Sequence, residues 1–484
     1  MSEDVRRGGE EPAVPPVVYA EASVRSSGGV SLFADEVPVT EETVPEFYSD
    51  PGLVGAAIDQ LREVGFEVLQ TAPTTVTIAG PPGLYQEVFR TTIVAEERET
   101  VKYYGQPGTA TFLECPDTDV PGLIDPQNSP LTETIEGVAL NEPVYPLAYA
   151  APPTRSYWHL DVPADVSLGI NADPAHRAGV TGRGVRVVMV DTGWHRHPFF
   201  ERRGYEANPV KLGPGAANPG TDEDGHGTGE SANVFAVAPD VEFTMVKMGP
   251  VNSTGAFKAA VALGPDIVSC SWGSSKPYPP LSAADQALAA AIASAVRQGV
   301  IVVFSAGNGH WGFPGQHPDV ISAGGAFMHP DGSLEASDYS SGFASPHYFG
   351  RNVPDVCGLV GLTPRARYIM LPVEPGGKAD VTGAGGRHPD NDETAPDDGW
   401  AVFSGTSAAA PQLAGVCALM KQASPGLSPP QARDLLARTA RDVTRGRCSP
   451  STGGNQAGPG HDLATGYGLA DAYQAVKAAS GTGP

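Results

Sequence analysis

Long apolar runs alternate with helical patterns through most of the chain after about residue 156. Four runs are almost continuously apolar, as is typical of strands buried on both faces: GVRVVMV, VEFTMVKM, DIVSCSWG and GVIVVFSAG. Apolar residues instead recur every three or four positions in STGAFKAAVAL, SAADQALAAAIASAVRQG, TSAAAPQLAGVCALMKQA and PPQARDLLARTARDV. This alternation predicts an α/β domain over residues 156–484, built on a doubly wound, mostly parallel sheet.

The first hundred residues carry a shorter pattern. Residues 16–104 read as strand, helix, two strands, helix and strand, which predicts a small α+β domain of the ferredoxin-like type. Asp50 and Pro51 mark the start of the first helix, because an Asp cap followed by Pro is a common way for a helix to begin. The closing strand of this domain is predicted at IVAEERETVKYY.

Two segments lack any hydrophobic periodicity. Residues 1–15 are polar and are predicted to be disordered, and residues 105–155 are rich in Pro, Asp and Thr and are predicted to be an extended linker. The whole chain has 59 glycines and 47 prolines in 484 residues, yet 40% of its residues are hydrophobic. That apolar content is sufficient for large cores, so the glycines and prolines indicate many turns rather than a disordered chain.

The charge balance narrows the classes of partner. Lys and Arg number 31 against 55 Asp and Glu, which gives a net charge of −24. Such a surface repels phosphate backbones and anionic lipids, so nucleic acid is excluded as a general partner. No run approaches 18 consecutive apolar residues, so no membrane span is predicted.

The N-terminus and the cysteines bear on the compartment. The segment MSEDVRRGGEEPAVPP has no apolar stretch of the kind found in secretion signals. The five cysteines are odd in number and scattered, which favours buried thiols in a reducing compartment over a disulfide framework or a zinc site. We therefore expect the protein to be cytoplasmic.

Three polar residues stand where reactive groups collect in such a sheet. Asp191 follows the run GVRVVMV, His226 lies between glycines in DEDGHGTGE, and Ser407 opens a helical stretch in FSGTSAAAP. Taken singly, they have ordinary explanations as a turn residue, a loop residue and a helix cap. The DTG at Asp191 has no second copy, as an aspartic protease would need, and Ala409 breaks the G-x-S-x-G pattern of α/β-hydrolases.

Taken together, the three residues are specific. Their chain order, Asp then His then Ser, is that of subtilisin. Residues 156–477 resemble the subtilisin family of serine peptidases in six motifs that occur in order: VVMVDTGW, DGHGTGE, DIVSCSWG, VVFSAGNG with FPGQHPDVISAGGA, SGTSAAAPQLAGV and DLATGYGLADAYQAV.

The resemblance implies a subtilisin-like fold and a serine endopeptidase. Ser407 would be the nucleophile, His226 the general base and acid, and Asp191 the residue that orients the imidazole. The side-chain amide of Asn308 would stabilise the oxyanion together with the backbone N–H of Ser407. The segment Ser271, Trp272 and Gly273 would pair with the backbone of a protein or peptide substrate.

The same resemblance implies no required cofactor. No metal ligand is assigned, and calcium sites, although possible in the family, cannot be placed on particular residues. His195 and His197 follow Asp191 closely and are a weaker candidate for metal binding. The acidic segment 386–399 looks inserted and could be a lid or a calcium loop, but we expect a solvated loop.

Two departures from the family pattern fall beside the site. Gly229 and Glu230 follow Thr228 where a second histidine is usual, which we interpret as a change in packing. Trp272 stands where a smaller aliphatic side chain is common, so it is expected to reshape the substrate pockets.

The N-terminal domain resembles the inhibitory propeptides of the same family. The resemblance implies a zymogen whose N-terminal domain acts as an intramolecular inhibitor and folding chaperone, with self-cleavage between roughly residues 100 and 160. Two other functions remain open: a catalytically silent binding or scaffold protein with the same fold, and an esterase that uses the same triad.

Overall fold

The computed structural model divides into two compact units, residues 1–148 and 149–484. It describes residues 12–34, 37–40, 42–101, 107–116, 118–143, 152–153, 155–249, 252–363, 368–403 and 405–481. Most of the segment 1–15, predicted to be disordered, and part of the predicted linker lie outside the described residues.

The first unit is an α+β domain with its own apolar core. Its elements are β1 (Val18–Val24), α1 (Pro51–Glu63), β2 (Glu67–Thr71), β3 (Thr75–Gly80), α2 (Pro82–Phe89), β4 (Val94–Val101), β5 (Pro107–Glu114), β6 (Leu123–Ile124) and β7 (Ile135–Leu140). Five strands form one sheet in the order β2-β3-β1-β7-β6, and all neighbouring strands run antiparallel. Asp50 caps α1 as predicted, since its carboxylate accepts the N–H groups of Gly52 and Leu53.

Two expectations for this region are wrong. The strand predicted to close the sheet, β4, instead pairs with β5 in a separate hairpin. The place beside β1 is taken by β7, which lies inside the predicted linker 105–155. That segment therefore supplies three strands to the first unit, and Val138 and Leu140 on β7 belong to its core. Pairing with β1, a non-local interaction, decides this strand, because its own composition carries little periodicity.

The second unit alternates strands and helices along its length. Its elements are β8 (Leu160–Asp161), α3 (Ala164–Gly169), α4 (Asp173–Arg177), β9 (Arg186–Asp191), α5 (Pro198–Arg203), β10 (Ala207–Leu212), α6 (His226–Val237), β11 (Glu242–Lys247), α7 (Ser253–Val261), β12 (Ile267–Cys270), β13 (Ser274–Ser275), α8 (Ala283–Arg297), β14 (Ile301–Ser305), β15 (Gly312–Phe313), β16 (Ile321–Met328), β17 (Leu334–Ala336), β18 (Phe343–Ala344), β19 (Asn352–Val353), β20 (Val356–Leu359), β21 (Ile369–Pro372), α9 (Lys378–Gly383), β22 (Trp400–Val402), α10 (Thr406–Ala423), α11 (Pro429–Thr439) and α12 (Ala472–Ala479).

The main sheet of this unit is mostly parallel, as predicted. Its order is β10-β11-β9-β12-β14-β16-β17, with β20 paired to β16, so eight strands of the described residues take part. All of these pairs are parallel except β16 with β17. The α/β class and the parallel sheet predicted from the buried runs are confirmed.

Both faces of the sheet are covered by helices. Along β9, Val187 and Met189 face the core shared with α6 and α10, whereas Val188 and Val190 face the core shared with α7 and α8. Alternate residues of one strand thus enter two apolar layers, which explains why these strands read as unbroken apolar runs. The layer with α6 and α10 is the one that carries the candidate site.

The five cysteines are all described, and no disulfide links them. Cys115 lies in the first unit, whereas Cys270, Cys357, Cys417 and Cys448 lie in the second, and all five are buried. The expectation of buried thiols is confirmed. Within the described residues, none of the helices has the length and apolar character that crossing a bilayer requires.

Candidate active site

The candidate residues meet at one edge of the main sheet. Asp191 is the last residue of β9, and Ser271 follows directly after β12, the strand beside it. From β9 the chain goes first to β10 and β11 on one side and then to β12 on the other. Such a reversal opens a crevice at the carboxyl ends of parallel strands. His226 is the first residue of α6 and Ser407 the second residue of α10.

Asp191 and His226 form a direct hydrogen bond. Nδ1 of His226 lies 2.7 Å from Oδ1 of Asp191, whose side chain is 3% exposed. The backbone N–H of Thr192 also donates to this oxygen, at 2.8 Å, so the carboxylate is held in place. This arrangement fixes the proton of a neutral imidazole on Nδ1 and leaves Nε2 as the basic nitrogen.

A buried carboxylate organises the turn that precedes His226. Asp222 is completely buried and accepts hydrogen bonds from the hydroxyl of Thr192, the N–H of Gly225, and both the N–H and hydroxyl of Thr228. It thereby links the end of β9 to the start of α6. The sequence analysis missed this residue, although a carboxylate four positions before a candidate base is a signal that could have raised it.

The Ser407 hydroxyl is hydrogen-bonded to Ser271, the residue that follows β12. It donates to the backbone carbonyl of Ser271 at 3.4 Å, and the hydroxyl of Ser271 donates to the carbonyl of Ser407 at 2.8 Å. Its hydroxyl makes no hydrogen bond to His226 in the described arrangement. The structure therefore brings Ser407 and Ser271 together and places the imidazole with Asp191.

Asn308 is held through its carbonyl oxygen. Its Oδ1 accepts from the backbone N–H of Thr406 at 2.9 Å and from the Thr406 hydroxyl at 3.1 Å. The Thr406 hydroxyl also accepts a hydrogen bond from the backbone N–H of Gly307, so the loop that contains Gly307 and Asn308 is bonded to the start of α10. With Oδ1 occupied in this way, the amide NH₂ is the group that can donate to a ligand beside Ser407.

A cavity of about 250 Å³ lies beside Ser407 and Asn308. The predicted substrate segment Ser271, Trp272 and Gly273 forms part of its wall. Trp272 donates its Nε1–H to the carbonyl of Val190 at 2.9 Å and packs edge-on against Phe304. The indole is thus fixed against the sheet. Among the described residues that line this cavity there is no Asp, Glu, Lys or Arg.

The two departures in the histidine motif have different environments. Gly229 faces the ring of Phe403, and a Cβ there would come within 2.4 Å of that ring. The Phe403 ring also lies nearly parallel to the imidazole of His226, with centroids 6.1 Å apart. Glu230 is completely buried, and its Oε1 lies 3.9 Å from Nε2 of His226. The packing interpretation suits Gly229, but Glu230 places an ionisable group against the candidate base.

The buried charges shift the pKa values of this pair. Burial lowers the pKa of His226, but the carboxylates of Asp191 and Glu230 raise it by more, so the net direction is upward. Burial raises the pKa of Glu230, the neighbouring imidazole lowers it, and the net direction is again upward. The imidazole and the two carboxylates therefore act as one electrostatic cluster.

Two weaker candidates take on structural roles. His197 is completely buried, and its Nδ1 accepts the N–H of Phe199 at the start of α5. Asp392, in the segment 386–399, is also completely buried and accepts from the N–H of Val402, so the expectation of a solvated loop is wrong at this residue. The described residues contain no group of three or more His, Cys, Asp or Glu that could hold a metal ion.

Comparison with known proteins finds one family match, which lies within the second unit. The model of the subtilase family matches residues 182–468. Alkaline elastase YaB of Bacillus sp. strain YaB is 29% identical over 300 residues, which cover 57% of this chain and 66% of that protein. M-protease of Shouchella clausii is 29% identical over 291 residues, which cover 56% and 63% of the two chains.

A third relative is covered more completely. Subtilisin Savinase of Lederbergia lenta is 28% identical over 294 residues, which cover 57% of this chain and 90% of that protein. The elastase and M-protease, in contrast, are each matched over less than two thirds of their length. The family match extends over well over half of the chain and includes Asp191, His226, Asn308 and Ser407. This chain belongs to the subtilase family.

Proposed function

We propose that the protein is a serine endopeptidase that hydrolyses peptide bonds through Asp191, His226 and Ser407. The observation that carries the proposal is the 2.7 Å hydrogen bond between Asp191 and His226. It lies at the edge of the sheet where Ser407 and Asn308 border one cavity. Family membership and the names of the three relatives, an alkaline elastase, a protease and a subtilisin, support the same reaction.

The reaction follows from the positions of these groups. The Ser407 hydroxyl turns from the carbonyl of Ser271 towards Nε2 of His226, loses its proton to that nitrogen, and attacks the substrate carbonyl. Asp191 stabilises the imidazolium. The amide NH₂ of Asn308 and the backbone N–H of Ser407 bind the oxyanion. The N–H of Ser407 suits this role because the first N–H groups of a helix have no partner within the helix.

The second half of the reaction uses the same groups. The imidazolium gives its proton to the amine of the leaving peptide, and an acyl-enzyme remains on Ser407. His226 then takes a proton from water, which attacks the acyl group and releases the second product. None of these steps needs a metal ion or an organic cofactor.

The cavity beside Ser407 indicates the class of side chain that fits. Its volume of about 250 Å³ and the absence of Asp, Glu, Lys and Arg among its described lining residues favour an uncharged side chain of moderate size. The backbone of the substrate would extend along Ser271, Trp272 and Gly273. A panel of peptides that differ at the residue before the cleaved bond tests this preference, and equal cleavage after Asp or Lys would contradict it.

The positions of the strands narrow the region in which we expect self-cleavage of the zymogen. The sheet of the first unit includes β7, which pairs with β1 and ends at Leu140. A cut between β1 and residue 141 would divide the strands of that sheet between two fragments, whereas a cut between residues 141 and 159 would leave every strand and helix of the two units intact. We therefore place self-cleavage there, with the first unit acting as intramolecular inhibitor and folding chaperone.

A combined labelling and mass measurement tests the function. Wild type should react with a fluorophosphonate at one site and should show self-cleavage by intact mass, whereas Ser407→Ala should do neither. Ser294→Ala, on the exposed side of α8, is the matched control and should behave as wild type.

Two results would contradict the proposal. If wild type and Ser407→Ala were both unlabelled and of identical mass, the silent binding protein would become the better explanation. If wild type cleaved esters but no peptide, the protein would be an esterase with this triad.

A further inference from the structure

Glu230 has a position that the proposed reaction does not use. It lies on α6 one turn after His226, and residues four apart share a helix face. Its side chain is completely buried, and Oε1 lies 3.9 Å from Nε2 of His226. Among the described atoms, Oε1 has no hydrogen-bond partner. A buried carboxyl oxygen without a partner is costly, so its position against the base needs an explanation.

The other carboxyl oxygen is fixed by a buried chain of amides. Oε2 of Glu230 accepts from Nδ2 of Asn233 at 2.9 Å. Oδ1 of Asn233 accepts from Nε2 of Gln412 at 3.1 Å, and Gln412 in turn bonds the backbone N–H and carbonyl of Leu359. Gln412 lies on α10, the helix that carries Ser407. This chain of hydrogen bonds holds the carboxyl group, so Oε1 stays directed at the imidazole.

Nε2 of His226 has two possible partners. It must accept the proton of Ser407 for the reaction to start, yet the Ser407 hydroxyl donates to Ser271 in this structure. The carboxyl oxygen of Glu230 lies near the same nitrogen. A protonated imidazole with Asp191 at Nδ1 and a carboxylate near Nε2 would be held as imidazolium and could not act as a base.

We propose that Glu230 is a positioning residue for the catalytic base: its carboxyl group and Nε2 of His226, 3.9 Å apart, compete for one proton, and the location of that proton decides whether the imidazole is available to Ser407. The inference rests on the proposed function. When the proton is on Glu230, the carboxyl is neutral and the imidazole is a free base. When the proton is on Nε2, the carboxylate and the imidazolium form an ion pair.

Among the described residues, few other charged groups lie near Glu230 and His226. Asp191 faces the imidazole from the end of β9, and Asp224 lies in the turn before α6. The thiol of Cys270, at the end of β12, lies near Asp191, and its pKa is raised well above the ordinary value by burial. The part of α10 packed against this region contributes Gln412 and small apolar side chains. Glu230 is therefore the group whose protonation changes the charge beside Nε2.

A titration of His226 tests the proposal without any need for activity. In the Ser407→Ala protein, the imidazole is followed by ¹⁵N and ¹H NMR through the low-field proton that it shares with Asp191. The apparent pKa of His226 should lie above the ordinary value of a histidine, and should fall by at least about one pH unit in Glu230→Gln. Glu242→Gln, which removes an exposed carboxylate, should leave it unchanged.

Three results would overturn the proposal. The first is a His226 pKa at or below its ordinary value in the protein with Glu230 intact. The second is an unchanged pKa in Glu230→Gln. The third is an equal fall in Glu242→Gln, which would indicate a general effect of net charge. Glu230→Leu removes the carboxylate without an amide and should shift the pKa in the same direction, so the test does not depend on one variant folding.

An activity measurement separates this proposal from the proposed function. With Glu230→Gln, the acidic limb of the profile of kcat/KM against pH should move to lower pH by at least about one pH unit, with KM little changed at the plateau. A wild type that fluorophosphonate does not label would contradict the proposed function, while the titration would still show whether Glu230 and His226 compete for a proton. If wild type were active and the acidic limbs of wild type and Glu230→Gln coincided, only the role of Glu230 would be overturned.

Discussion

The two helices that begin at the candidate site carry very different groups behind their reactive residues. After Ser407, α10 continues with small buried residues, and its one buried amide, Gln412, bonds the backbone of Leu359. After His226, α6 is equally buried, but it carries the carboxyl group of Glu230 one turn later. The proposed nucleophile, Ser407, thus stands among fixed dipoles, and the proposed base, His226, stands beside groups that can gain or lose protons.

This difference predicts where the enzyme is sensitive to pH. Backbone N–H groups and the Asn308 amide do not titrate, so stabilisation of the oxyanion should be constant over the working range. The protonation of His226 depends on the carboxyl groups of Asp191, Glu230 and Asp224, and the pKa of Glu230 is itself raised. We therefore expect pH to act on proton transfer and not on oxyanion binding.

The largest effect should come from removing the base. His226→Ala should reduce kcat by roughly 10⁶-fold, as expected when the base of such a triad is lost, because Ser407 then has no proton acceptor. Single-turnover assays with a peptide substrate measure this loss. The control is His329→Ala, which removes a partly exposed histidine that is paired with Glu335, and this variant should retain full activity. A residual rate above about 10% of wild type in His226→Ala would contradict the assigned role.

The next effect tests the fixed dipoles beside Ser407. Asn308→Ala should lower kcat by roughly 10²–10³-fold with little change in KM, because the amide acts on charge that develops only in the transition state. The ratio to wild type should be the same at all pH values. A loss that appeared mainly in KM, or that varied with pH, would contradict the comparison.

Thr406→Val is a milder test of the same group. It removes the hydroxyl that donates to Oδ1 of Asn308 and keeps the backbone bond. The loss in kcat should be smaller than in Asn308→Ala, since the amide is loosened and not removed.

The contact between α6 and α10 has no room for an additional methyl group. A Cβ at Gly415 on α10 would lie 2.7 Å from Cβ of Val237 on α6. Gly415→Ala should therefore destabilise the second unit by about 1–3 kcal/mol. Thermal unfolding measures this. Gly55→Ala in α1, where the new Cβ has no neighbour within 4 Å, should stabilise the helix or leave it unchanged.

The smallest effect is a dependence of stability on pH. Burial, the largest cause, raises the pKa of Glu230 to about 8, above the value in an unfolded chain. Between the two pKa values the native state keeps a proton that the unfolded state has lost, so the free energy of unfolding falls as pH rises through this range. Wild type should thus lose stability relative to Glu230→Gln between pH 5 and pH 9.

Scanning calorimetry of the two proteins measures this difference. The difference in Tm between Glu230→Gln and wild type should change by at least about 2 °C between pH 5 and pH 9. The Tm of Glu230→Gln should rise relative to that of wild type as pH increases. A gap that is constant, or that closes with rising pH, would show that Glu230 has no raised pKa in the native protein.

The sequence predicts the second unit well and part of the first poorly, for a physical reason. A strand such as β9 is buried on both faces and must be apolar over the residues between its ends, Val187 to Val190, so its sequence identifies it. The strand β7 is recognised only through its pairing with β1, where Ala20 lies opposite Leu140. That interaction spans more than a hundred residues of chain, and no local pattern encodes it.

The candidate site shows the same division. Asp191, His226 and Ser407 lie in motifs, and the structure places the first two in direct contact. The histidine motif also identified Glu230 as a departure from the family pattern. From the sequence alone, however, this departure could be interpreted only as a change in packing. The spacing of four residues from His226 was a usable signal, because on a helix it puts the two side chains on one face.

The burial of the cysteines has a practical consequence for following the molecule in solution. Burial raises the pKa of Cys270, Cys357, Cys417 and Cys448, so these thiols are both inaccessible and unreactive in the native state. Serine-directed electrophiles thus meet little competition from sulfur. Alkylation will instead count unfolding events: one modified thiol for opening of the first unit, at Cys115, and four for opening of the second. The number of alkylated cysteines, measured by mass spectrometry, therefore distinguishes the unfolding of one unit from that of the other.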